Sequence, residues 1–127
     1  MLIIRDDQMD AFRDARLRSF EDRMIAHISA FFAQQYHEVG ESGMREIIQY
    51  GIERSASYGI HVERDVCKYI DLMVVLGPDF DRDPALPWAG EILVIHEQDS
   101  PAYRVHRLCE EASIALGHAT ISNERTA

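Results

Sequence analysis

The sequence is poor in the residues that staple a chain or carry it across a bilayer. Its 127 residues include two cysteines, Cys67 and Cys109, and four prolines. Two cysteines can pair, but each sits inside an apolar helical pattern, a placement that more often marks a small buried hydrophobe. Nowhere do roughly eighteen apolar residues run together, so no membrane-spanning helix is expected. The opening Met1-Leu2-Ile3-Ile4-Arg5 is too short and too soon charged to read as a signal peptide. A reducing, bacterial-type cytoplasm is the expected home. Lysine is almost absent: Lys68 stands alone among thirteen basic residues. The formal net charge of −9 opposes phosphate-backbone binding, so no nucleic-acid partner is expected.

What is present describes an ordinary globular chain. With 46% hydrophobic and 28% charged residues, it has enough apolar side chains to fold and is not expected to be disordered. Its length suits one domain, 1–127, that buries roughly 65–70% of its unfolded surface. Helical spacing dominates. Met9, Phe12, Leu17, Phe20, Met24, Ile28 and Phe31 share one broad face of a long first helix, from Asp6 or Asp7 to about His37. Asp14, Arg18 and Asp22 form a charge ladder on the opposite face. Ile25, Phe32 and Tyr36 leave the first stripe, which predicts deeper burial for that helix's second half.

Gly40 to Gly43 predicts a break, with Ser42 as cap of a second helix carrying Met44, Ile47, Ile48, Ile52 and Ala56 inward. Gly59 is placed to end it in a left-handed conformation. A third helix from about Val62 turns Val66, Tyr69, Ile70, Met73 and Val74 inward and stops at Gly77-Pro78. Pro87 opens a short helix containing Trp88, Ile92, Leu93 and Ile95. Asp99-Ser100-Pro101 caps a last helix with Val105, Leu108, Cys109, Ala112 and Leu116 on one side, ending near Gly117. The polar tail from about 118 is expected to fray. With no period-two run, the fold class is all-α: a compact bundle of about five helices around a long N-terminal one.

The chemistry-bearing motifs are incomplete. HExxH and the Glu-x-x-His pair of di-iron bundles are both absent. His106 and Cys109 stand three apart with Glu110 beside them, half of a metal site lacking an obvious second pair. Asp79-x-Asp81-x-Asp83 begins like a calcium loop, but Pro84 occupies the turn position and Gly90 the bidentate one. Neither a nucleophile elbow nor a phosphate-cradling glycine loop appears. No catalytic residue, metal ligand or cofactor is therefore assigned. From Asp71 to Asp99 seven acids face Arg82 alone, and Phe80 and Trp88 stand in its proline-containing loop, with Pro84 and Pro87 between them. The two aromatics either cover the bundle's end or dock a partner. On the docking reading, Phe80 and Trp88 anchor a protein while Asp79, Asp81 and Asp83 steer its basic surface.

The run Tyr58-Gly59-Ile60, Glu63-Arg64-Asp65-Val66, Tyr69, Leu72-Met73, Leu76-Gly77-Pro78-Asp79-Phe80-Asp81, Asp83-Pro84 and Leu86-Pro87-Trp88-Ala89 resembles a group of small bacterial helical proteins. Genes of that group often lie near type VI secretion toxins such as PAAR-containing effectors. The resemblance spans roughly residues 44 to 93 and extends faintly to the first helix. It implies an adaptor, chaperone or immunity role, and carries no catalytic residues to transfer. The expectation is thus a non-enzymatic protein-binding accessory. Its rivals are an immunity protein and a small metal- or ligand-binding helical protein using His106 and Cys109. Apolar surface left on the first and third helices also makes a homodimer an option.

Overall fold

A computed structural model describes residues 6–117, with side chains described from Ala11 onward. Met9 and the tail from 118 lie outside the described residues. The chain is all-α, and no strand occurs among the described residues. Five α-helices follow in order: α1 (Asp6–Phe31), α2 (Ala33–Ser57), α3 (Glu63–Leu76), α4 (Pro87–Gly90) and α5 (Pro101–Ala115). A 3₁₀ turn at Phe80–Arg82 precedes α4, and a wide turn at Glu91–Ile95 follows it. No helix of the described residues is long and apolar enough to cross a membrane. Two compact units divide the chain, Met1–Gln49 and Tyr50–Ala127, with the division falling inside α2.

In the first unit the expected long helix is interrupted at Phe32. Backbone bonds from Phe32 N to Ile28 O (2.8 Å) and from Tyr36 N to Phe32 O (2.9 Å) carry the ladder past that point. Neither Gly nor Pro marks the interruption. The break expected at 40–43 is a single residue, Gly40, at φ 81° and ψ 166°, where a side chain would strain the backbone. Helix resumes at 41, so Ser42 lies within it and is not its cap. Phe20, Met24 and Ile28, each four apart on α1, are buried, as are Met44 and Ile48 on α2. The outer members of the expected stripe are not: Phe12 is 66% and Phe31 72% exposed. Ile25, Phe32 and Tyr36 are half-buried. Arg45 ties the unit together, donating to Glu21 (2.8 Å), Asp22 (2.9 Å) and Glu41 (3.3 Å), and these carboxylates hold its guanidinium firmly protonated.

The second unit is built on α3. Glu63 and Asp65 stand in its first turn, where acids favour the helix dipole. Val66, Tyr69, Ile70 and Met73 repeat at helical spacing and are buried, while Val74 is only half-buried and Leu72 takes part in its place. This face packs along α5, whose Val105, Leu108 and Ala112 are likewise buried. The buried line of α2 differs from expectation. It passes through Gly51 and Ser55, leaving Ile52 half-buried and Ala56 exposed.

Gly51 shows why a small residue stands there. A Cβ at this position would lie 2.6 Å from Ile70 Cγ1 and 2.8 Å from Met73 Sδ. Gly51→Ala normally favours a helix by about 1 kcal/mol, but forced overlap in a packed site costs about 1–3 kcal/mol. We expect a net loss of stability. Urea denaturation monitored by circular dichroism would overturn this if the alanine variant unfolded at higher urea than the parent.

Candidate functional site

α2 ends in a Schellman motif. Ile60 N bonds Ser55 O (2.9 Å), Gly59 N bonds Ala56 O (2.9 Å), and Gly59 adopts the expected positive φ of 79°. The last turns of this helix present Tyr50, Arg54 and Tyr58, four residues apart and therefore on one face. The loop after α3 brings its aspartates to that stripe. Tyr50 Oη donates to Asp79 Oδ1 (2.5 Å), and Tyr58 Oη donates to Asp81 Oδ2 (2.6 Å). Arg54 Nη2 pairs with the same Asp81 oxygen and also donates to Tyr58 Oη (2.9 Å). Arg54 lies over the Tyr58 ring, 5.4 Å from its centroid.

These bonds move the proton affinities in defined directions. The bond to Asp79 pushes the Tyr50 hydroxyl up, whereas burial leads the rise at Tyr58, with the Asp81 bond adding to it. Asp81 holds the Arg54 guanidinium firmly charged. Burial, then the Asp81 charge, raises the Tyr69 phenol. Its ring sits 5.2 Å from Phe80 and 6.4 Å from Tyr58. Asp81 Oδ1, Arg54 Nε and Tyr69 Oη accept or donate no hydrogen bond among the described residues.

The five residues expected to form a docking site are thereby separated. Phe80 is 1% exposed, and the Asp81 side chain is fully enclosed. Neither offers the anchoring or steering surface expected of it, because the Phe80 ring packs against Tyr69 and Arg54 and Tyr58 draw Asp81 inward. Asp83 Oδ1 accepts from Ala85 N (2.8 Å), a local turn bond. Asp79 is engaged with Tyr50. The three carboxylates thus serve separate sets of partners, which is not the convergence a calcium loop requires. Trp88, half-buried, lines a cleft that the other four do not reach.

That cleft has a volume of about 490 Å³ and lies among α4, the wide turn and α5. Trp88, Ile92 and Tyr103 supply its apolar walls; His96, Arg104, Arg107, Glu91, Asp99 and Glu111 supply its polar ones. The turn at Glu91–Ile95 closes with His96 N on Glu91 O (3.1 Å), an i→i+5 bond of the kind often found at functional sites. The extra residue rotates the helix face, leaving Val94 56% and Ile95 73% exposed although Ile92 and Leu93 are buried. Ser100 caps α5 through Tyr103 N (3.2 Å), as expected, and this sets Tyr103 and Arg104 at the cleft.

Arg104 is the residue that sequence reasoning missed. It is 4% exposed and joins no ion pair among the described residues. Its guanidinium donates to three carbonyls left over where elements end: Tyr58 O after α2 (2.8 Å), Leu93 O (3.3 Å) and Asp99 O (3.1 Å). Arg107, by contrast, reaches Glu110 (3.2 Å) and Glu111 (3.3 Å), which raise its proton affinity.

Cys67 and Cys109 are free and half-buried. Burial, with Asp71 nearby, pushes the Cys67 thiol up to about 11, and burial raises Cys109. His106 lies on the exposed side of α5, 3.6 Å from Glu110. It is not gathered with Cys109 into a set of three ligating side chains among the described residues. No protein-family model matches the chain, and no curated protein or solved structure matches it significantly.

Proposed function

We propose that the chain is a non-enzymatic accessory protein that binds another protein in the cytoplasm, as an adaptor or chaperone for a bacterial secreted toxin. The observation that carries the binding role is the cleft. Two aromatic walls, Trp88 and Tyr103, stand in the same unit as two solvent-exposed aliphatics, Val94 and Ile95. Exposed aromatic and aliphatic side chains rimmed by polar groups are the anatomy of a binding hot spot. Acids outnumber bases in residues 50–117, twelve against six, so a basic partner is favoured. The thiols suit this reading too, since burial makes them poor nucleophiles. The secretion context rests on the resemblance over residues 44 to 93, and an immunity role shares that support.

The test compares the parent chain with an Ile95→Asp/Tyr103→Ala variant, both surface changes that leave the buried residues intact. Each is used to capture proteins from a bacterial host, and the affinity for any captured protein is then measured with purified components. We expect at least a tenfold loss in the variant, with an unchanged circular dichroism melt. Equal affinity would overturn the cleft as the binding surface. Co-expression with a captured toxin then separates the roles: rescue of growth marks an immunity protein, and a change in toxin solubility or delivery marks an adaptor.

A further inference from the structure

We infer that the cleft receives an arginine or lysine side chain of the partner, with its cation against Trp88 and Tyr103 and its charge answered by Asp99 and Glu91. This rests on the protein-binding reading above and names the chemistry of the contact. Aromatic faces attract cations, tryptophan most strongly, and the chain's only tryptophan is a wall of this cleft.

The resident cations do not fill that role. Arg107 is committed to Glu110 and Glu111, and Arg104 to three backbone carbonyls. Two lining acids are left with capacity to accept. The Asp99 carboxylate takes part in no hydrogen bond or ion pair among the described residues; the residue is held by its backbone, whose carbonyl accepts from Arg104 and whose N–H donates to His96 O (3.0 Å). The Glu91 carboxylate has His96 as its neighbour, at 3.9 Å. An acidic ligand would meet three carboxylates, those of Glu91, Asp99 and Glu111, and a purely apolar one would desolvate them without return. A guanidinium or ammonium on an aliphatic stem suits both the walls and the rim.

Because Trp88 is the sole tryptophan, its fluorescence reports on this cleft directly. The full chain is titrated at low salt with an acetylated, amidated tetra-arginine peptide, and separately with tetra-glutamine and tetra-glutamate. We expect a saturable change in emission with the arginine peptide only, weakening as salt is raised. In a Glu91→Gln/Asp99→Asn variant the apparent Kd should rise at least tenfold. An unchanged emission, an equal response to glutamine or glutamate, or equal affinity in the variant would each overturn the inference. A captured partner lost in Ile95→Asp/Tyr103→Ala but retained by Glu91→Gln/Asp99→Asn would remove the cationic anchor and leave protein binding standing.

Discussion

Replacing Asp81 by alanine is expected to cost about 3–5 kcal/mol of folding stability, the range for removing one partner of a buried ion pair. The carboxylate is enclosed and bonded to both Arg54 and Tyr58. Its loss leaves the Arg54 guanidinium, only 15% exposed, without a counter-charge, and strands the Tyr58 hydroxyl. It also frees the turn that seats Phe80 against Tyr69. With a urea slope of about 1–3 kcal/mol/M, the midpoint should fall by about 2 M. A small protein has about 5–15 kcal/mol in all, so the variant can approach unfolding at ambient temperature.

An Arg54→Met/Asp81→Leu variant keeps this prediction testable in a folded protein. It removes both charges together, and apolar replacement of a buried pair is often neutral or stabilising. The double variant should therefore be more stable than Asp81→Ala alone. A fall of less than about 1 kcal/mol for Asp81→Ala would show that the pair is solvated and contributes as weakly as a surface bridge.

Arg104→Met is expected to produce a loss of similar size by another route. No opposite charge is orphaned; three carbonyls are. Tyr58 O, Leu93 O and Asp99 O belong to the end of α2, the wide turn and the approach to α5. Each buried acceptor left unsatisfied costs about 1–3 kcal/mol, and partial access to water at the two less buried ones brings the sum to about 3–5 kcal/mol. Arg104→Lys restores one donor position without the planar fork and should recover only a minor part. Urea denaturation gives the total, and amide hydrogen exchange gives the location. Faster exchange should concentrate in 58–60 and 91–104. If Arg104→Lys matched the parent, the fork geometry would not be the stabilising feature.

Helices were the legible part of this chain because their signals are local. Val66, Tyr69, Ile70 and Met73 declare one face of α3, Gly77-Pro78 ends it, and Ser100-Pro101 starts α5 with the side-chain cap that its position foretold. Gly59 ended α2 as its place in the pattern required. The same reasoning missed the interruption at Phe32, where no breaker residue stands. It also set Ile95 in one short helix with Trp88, Ile92 and Leu93 and did not foresee the i→i+5 turn that leaves Ile95 exposed. One inserted residue shifts a helical face by about 100°, and periodicity counted on 3.6 residues per turn cannot register it.

The candidate site divides along the same line. An acidic aromatic segment was visible in the sequence, and Trp88 does line a cleft. The roles of its neighbours were decided by residues far along the chain. Tyr50, Arg54 and Tyr58 recur every fourth residue on α2, but nothing local said that they would claim Asp79 and Asp81. Arg104 gave no sequence signal beyond being a basic residue in an amphipathic helix. Composition, spacing and punctuation determined the all-α class, the helix order and most of the buried faces, because these depend on interactions within about a turn. Which aspartate turned inward, which arginine was buried and where the cleft opened were decided only by the tertiary structure. Unpaired charges and carbonyls left over at the ends of elements must find partners wherever the fold brings them, and sequence distance does not limit that search.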